Sequence, residues 1–210
     1  FLSVRNGIFT IMKISKKGAA VLTVLLVITS GFFAYALLSP NESNQMKSMD
    51  HGGSHSTTAG KNLSADDAMF LQMMIPHHEQ AIVMSDLALK ISKNKELLAL
   101  AAQIKSAQNP EIVQMKKWLA DDGLGEDPGH SMGGMGGMLS EEDLTDLSNS
   151  SGTSFDKKFI SGMIEHHIGA VNMVKMIEGS KVASLRAFAD SIVRTQSSEI
   201  ELMRNLLAKI

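Results

Sequence analysis

The chain has 210 residues, a net charge of −2, 15 Met, 7 His and no Cys. Without Cys there is no disulfide, no thiolate zinc site and no thiol redox chemistry, and so balanced a charge gives no basic field to recruit nucleic acid. One Trp and one Tyr likewise offer no aromatic platform for stacking bases.

Gly18 to Leu38 is an uncharged apolar run of 21 residues, preceded by Arg5, Lys13, Lys16 and Lys17, with no further basic residue until Lys47. This asymmetry places the N-terminus in the cytoplasm and everything after the run outside. The length suits one membrane span, while Ala34-Tyr35-Ala36 suits a signal-peptide cleavage site. Residues 1–38 are therefore expected to be a signal peptide or a membrane anchor. Either exports the remainder to the periplasm or the extracytoplasmic face of a bacterial membrane, so contact with the membrane is expected through this segment alone. A start at Met12 would give a compact basic n-region, and the absence of Cys after the run excludes a lipoprotein. Residues 39–61 are polar and read as a flexible tether. That tether nonetheless carries Met46, Met49, His51 and His55, and the two His are weaker candidate ligands.

Residues 62–210 are expected to form one domain, because about 150 residues suffice for a real core. Ser64 followed by Asp67 predicts a capped helix start, and the helix runs from about Asp66 to Ile91. Pro76 inside it predicts a kink or a new start. A second helix is expected over Lys95–Asp121 with Pro110 inside it, then a Gly-rich loop over 122–137. Ser140-Glu141-Glu142-Asp143 predicts a short capped helix. A third long helix is expected from Ser154 to Glu178, stopped by Gly179, and a fourth from Val182 to Ile210. Nothing alternates as a strand does.

The chain says one unusual thing twice. MIPHHEQAIVM at 74–84 recurs as MIEHHIGAVNM at 163–173, offset by 163 − 74 = 89. Asp67 and Phe70 match Asp156 and Phe159 at the same offset. Gln108, Glu111, Ile112 and Met115 match Gln196, Glu199, Ile200 and Met203 one residue closer, a change that the loop between helices absorbs. The repeats span about 62–122 and 152–210. Each is a helical hairpin that cannot bury its apolar face alone, and two of them predict an all-α, four-helix bundle.

Residues three and four apart share a helix face. Phe70, Met74, His77, Ala81 and Met84 form one stripe, and Phe159, Met163, His166, Ala170 and Met173 form its counterpart. His78 and His167 fall at the stripe edges. Imidazole and thioether are both metal ligands, and thioether favours soft Cu(I). The pattern therefore makes His77, His78, His166, His167, Met74, Met84, Met163 and Met173 candidate copper ligands. Met69, Met73, Met115, Met176 and Met203 read instead as core filler, since Met adapts to irregular gaps. Glu79 and Glu165 sit beside the His pairs at unmatched positions and read as solvated or supporting residues. The Gly/Met loop over 129–138 is a second candidate. Its His130, Met132, Met135 and Met138 are separated by Gly, so thioethers could converge on Cu(I) or Ag(I); otherwise the loop is a plain linker.

The two His-pair segments, MIPHHEQAIVM and FDKKFISGMIEHHIGAVNM, together with the trailing EIVQM and EIELM blocks, closely resemble the bacterial domain-of-unknown-function 305 family over residues 62–210. The resemblance implies a ferritin-like four-helix bundle, often exported and in some members a periplasmic copper-binding protein. Carried over residue by residue, it points to His77, His78, Met84, His166, His167 and Met173. The repeats depart from one another at Pro76 against Glu165 and at Glu79-Gln80 against Ile168-Gly169.

These readings converge on an exported protein that sequesters or carries copper, as Cu(I) by preference and Cu(II) as well, for resistance or homeostasis. A copper transporter or chaperone would be its delivery partner, and no catalytic residue is expected. Two alternatives differ in class. A ferritin-like metal oxidase would need Glu-x-x-His pairs, which the chain lacks. A metal-free envelope interaction module would leave the His pairs merely hydrogen-bonded.

Overall fold

A computed structural model describes residues 63–127 and 136–210. The apolar run, the tether with His51 and His55, and His130, Met132 and Met135 of the Gly/Met loop lie outside the described residues. Among the described residues every element is helical, and no helix is long and apolar enough to cross a membrane.

Helix α1 spans Ala65–Ile91. It opens on the expected capping box: the Ser64 hydroxyl accepts from the Asp67 N–H, and the Asp67 carboxylate accepts from the Ser64 N–H. Such a cap satisfies two N–H groups that the helix leaves without partners. Helix α2 spans Lys95–Asp121, capped by the Asn94 side chain. Helix α3, Glu141–Ser148, opens on the second expected box, Ser140 with Asp143. Helix α4 spans Gly152–Met173 and tightens into a 3-10 turn over Val174–Ile177. Helix α5 spans Ala183–Leu207.

Two local expectations need correction. Pro76 does not restart α1, which runs through it. One forfeited hydrogen bond is tolerated where Ile75, His77 and His78 on the same turn are buried and packing holds the helix. Gly179 does not end the third long helix in a left-handed cap either; among the described residues only Gly123, Gly137 and Gly152 have positive φ. The α-helix gives way earlier to i→i+3 bonding, in which the Glu178 N–H donates to Lys175 and the Ser180 N–H to Ile177.

Side-chain pairing fixes the packing. Leu63–Asp122, Glu79–Lys116 and Asp86–Lys105 climb α1 while descending α2, so these helices are antiparallel. His77–His166 and Ser92–Asp156 set α1 antiparallel to α4. Gln103–Glu199 and Glu96–Lys209 set α2 antiparallel to α5, and His167–Glu199 joins α4 to α5. Two hairpins thus pair into a bundle of four long helices, as the duplication requires.

The core is divided. One apolar cluster holds Met84, Ile104, Phe155, Phe159, Met163 and Met203. The other holds Phe70, Met74, Ile112, Met115, Met173 and Ile192. Burying side chains of this size stabilises by about 1.5–3 kcal/mol each. Each long helix crosses from one cluster to the other through polar residues: His77 and His78, Gln108 and Glu111, His166 and His167, Gln196 and Glu199, all buried. A polar layer at mid-bundle is what hydrophobic packing alone would not produce.

Candidate metal centre

The two repeats place their His pairs at the same level of the bundle, facing each other across the α1–α4 seam. All four imidazoles are 0% exposed. The rings of His77 and His166 lie with centroids 3.7 Å apart, tilted by 39°. His166 and His167 have centroids 6.3 Å apart. His78 and His167 are as deeply buried as their neighbours, not at the rim of the stripe as their helical angle suggests, because α2 and α5 cover that side.

That cover is polar. His78 Nε2 lies 2.9 Å from Glu111 Oε2, and His167 Nε2 lies 2.8 Å from Glu199 Oε2. A carboxylate only accepts, so each imidazole donates from Nε2, which in the neutral ring puts the lone pair on Nδ1. His77 Nε2 faces the Gly136 carbonyl at 3.4 Å, a weaker version of the same arrangement. The Nδ1 atoms of His77, His78 and His167, and both nitrogens of His166, are buried without hydrogen-bond partners. So are both side-chain polar atoms of Gln108 and the Oε1 of Gln196. An unsatisfied buried polar atom costs about 1–3 kcal/mol. A cluster of them is a large cost in a domain whose net stability is about 5–15 kcal/mol.

Protonation follows from the same burial. The His77 pKa is lowered to about 3, first by desolvation, then by His78 and His167, with the Gly136 carbonyl opposing. The His166 pKa is also lowered well below the usual value, first by desolvation and then by His77, His167 and His78. The His77 main chain offsets this weakly without forming a hydrogen bond. Both rings are neutral at pH 7 and carry free lone pairs, the form that binds metal.

The sulfurs flank this layer. Met74 and Met163 are one turn before the His pairs, in opposite apolar clusters, and Met84 and Met173 lie beyond the pairs, again one in each. All four are buried. Of the filler residues, Met115 and Met203 are core, while Met69 is 36% exposed. Glu79 is exposed and pairs with Lys116; Glu165 is exposed as well. Among the described residues, no three His, Asp or Glu side chains already converge on one point, so imidazole and carboxylate alone do not preform a closed ligand set.

The end of the Gly/Met loop lies over the His seam. Gly136 reaches His77 as above, Gly137 adopts φ +86°, and a Cβ there would overlap the Glu165 carbonyl. A Cβ at Gly169 would overlap the Gly136 carbonyl. Met138 is half-buried in a groove shared with Asp143, Lys158 and Glu165. The sequence matches Glu111 with Glu199 as repeat equivalents but assigns neither to the His pairs. The repeated Gln-x-x-Glu-Ile-x-x-Met block was the signal.

A family model described as a domain of unknown function, DUF305, matches residues 67–207. Among solved structures, a DUF305 fragment from Deinococcus radiodurans is 29% identical, over 70% of this chain and 98% of that one, with a TM-score of 0.66. A DUF305 protein from Streptomyces coelicolor, predicted to be secreted, is 32% identical over 70% and 92%, with a TM-score of 0.65. CopM in its Cu(I)-bound form is 32% identical over 70% and 98%, with a TM-score of 0.59. CopM has also been solved with Cu(II), with silver and without metal. No curated protein matches the chain.

Proposed function

The chain belongs to the DUF305 family, and we propose that it is an exported copper-binding protein holding the ion at the His layer of a ferritin-like bundle. The observation that carries this reading is the set of five buried imidazole nitrogens without partners, from four rings gathered at one level. Copper bound there would accept the lone pairs of His77 and His166, whose rings are close enough to share an ion. His78 and His167 present Nδ1 from rings held by Glu111 and Glu199, the arrangement by which carboxylates orient metal-binding imidazoles. Met74 and Met163, one turn away, supply the soft sulfur that favours Cu(I) and Ag(I). Likeness to CopM, a protein solved with Cu(I), Cu(II) and silver, supports the same metals for this chain. Export is supported by the apolar N-terminal run and by the Streptomyces relative.

Sequestration or carriage fits better than oxidase chemistry. Glu111 and Glu199 sit within hydrogen-bond reach of the imidazoles they face, leaving no room for a metal between carboxylate and ring. The Gly/Met loop, with His130, Met132, Met135 and Met138, is proposed as an accessory capture segment, and a copper transporter or chaperone as the recipient. Competition for the metal-free protein tests the reading: Cu(I) and Ag(I) are expected to outcompete Zn(II) by orders of magnitude. Equal or tighter Zn(II) binding would overturn it.

A further inference from the structure

The repeats differ most where the connection between the hairpins returns to the bundle. Gln80 of α1 occupies the position that Gly169 occupies in α4, at the same offset of 169 − 80 = 89. Both contact one segment, Gly136–Leu139. The Gln80 side-chain N–H donates to the Leu139 carbonyl at 2.9 Å, and the Leu139 N–H donates to Gln80 Oε1 at 2.8 Å. This two-bond clamp ties the segment to α1. On α4 the segment lies directly against the backbone: a Cβ at Gly169 would overlap the Gly136 carbonyl, and a Cβ at Gly137 would overlap the Glu165 carbonyl. Gly162 leaves room for the Leu139 side chain, which lies 3.2 Å from where a Cβ would be. One repeat grips the segment and the other is cleared of side chains to receive it.

The segment crosses the seam where His77 and His166 stack, and its Gly136 carbonyl faces His77 Nε2. All four imidazoles are fully enclosed, so an ion reaches them only after some part of the structure moves. Separating α1 from α4 would expose Phe70, Phe159, Met74 and Met163. Lifting the segment breaks the Gln80 clamp and withdraws only the partly buried Leu139 from the edge of one apolar cluster, leaving the buried residues of both in place. We propose that Gly136–Leu139 is a strap over the metal centre, and that the Gln80 clamp sets the rate at which metal enters and leaves. The proposal rests on the His layer being the metal site. It accounts for Gln80 and Gly169 departing from repeat symmetry while the His residues keep it.

Two variants of the full chain attack the strap from opposite helices. Gln80→Ala removes both clamp bonds; Gly169→Ala pushes the strap away while adding a better helix former. Each loaded protein is mixed anaerobically with excess of a coloured Cu(I) chelator, and transfer is timed. Exchange of the Leu139 amide is measured in the metal-free proteins. Both variants should lose Leu139 protection and release Cu(I) about thirtyfold faster, the factor that two lost hydrogen bonds correspond to, at unchanged stoichiometry. Gln80→Glu keeps the acceptor but not the donor and should fall between. If both variants release Cu(I) at the wild-type rate, or if Leu139 stays protected in Gln80→Ala, the strap proposal is overturned. A wild-type chain that takes up no Cu(I) refutes the metal centre itself, and the amide protection then still decides whether Gln80 closes the strap.

Discussion

Acid should destabilise the metal-free protein through its buried imidazoles, and the size of the effect follows from their environment. Above about pH 6.5, the ordinary His pKa, His77 and His166 are neutral whether the chain is folded or not. Below it the unfolded chain takes up protons that the folded chain refuses, because the folded pKa of His77 is lowered to about 3 and that of His166 is also lowered. Stability from these groups is therefore complete above 6.5 and is lost as pH falls towards the folded value. Each ring contributes a slope of up to about 1.4 kcal/mol per pH unit. Between pH 6.5 and 4.5 His77 alone removes about 2 kcal/mol, and His166 acts in the same direction, against a net stability of about 5–15 kcal/mol. Replacing both rings by Leu should flatten this dependence, since neither position can then take up a proton. Urea unfolding followed by circular dichroism at pH 7, 5.5 and 4.5 gives both curves, and their difference isolates the pair. A double variant that loses stability with acid as steeply as the wild type would refute the claim that these rings are held neutral.

Further outcomes follow from the same site. Glu111→Gln and Glu199→Gln should each weaken copper binding about tenfold to a hundredfold by loosening the orientation of His78 or His167, measurable by competition with a chelator. A Met132, Met135 and Met138 triple replacement by Leu should leave unfolding within about 0.5 kcal/mol of wild type, since Leu for Met conserves apolar volume. It should nevertheless lower Cu(I) stoichiometry or slow loading. Unchanged stoichiometry and rate would make that segment a plain linker. Saturating Ag(I) should raise the thermal midpoint of the wild type, since a ligand that binds only the folded state stabilises it by mass action. The same addition should do little for a chain lacking His77 and His166.

The fold was legible because the sequence states it twice. Helix limits emerged to within a few residues where capping residues are explicit, as at Ser64 and Ser140, and the His pairs were visible as a break in the Met-rich stripes. What stayed hidden was tertiary. The carboxylates serving His78 and His167 come from partner helices some thirty residues away, and no local spacing links them. Helical angle placed those two rings at a rim, whereas the covering helices bury them. Pro76 read as a breaker because propensity is local, while the packing of Ile75, His77 and His78 that overrides it is not. Gln80 and Gly169 read as lapses of the repeat, since only the returning chain gives them a shared role.

The most direct test of the central claim is an anaerobic Cu(I) titration against a competing chelator, comparing the wild-type chain with His77→Ala/His166→Ala. Circular dichroism checks that the helices persist, since truncating two core rings costs several kcal/mol by analogy with other large-to-small core changes. A folded double variant that has lost the tightest Cu(I) equivalents is the predicted result. A folded double variant that binds as many equivalents, as tightly as the wild type, would contradict the account and place the copper elsewhere.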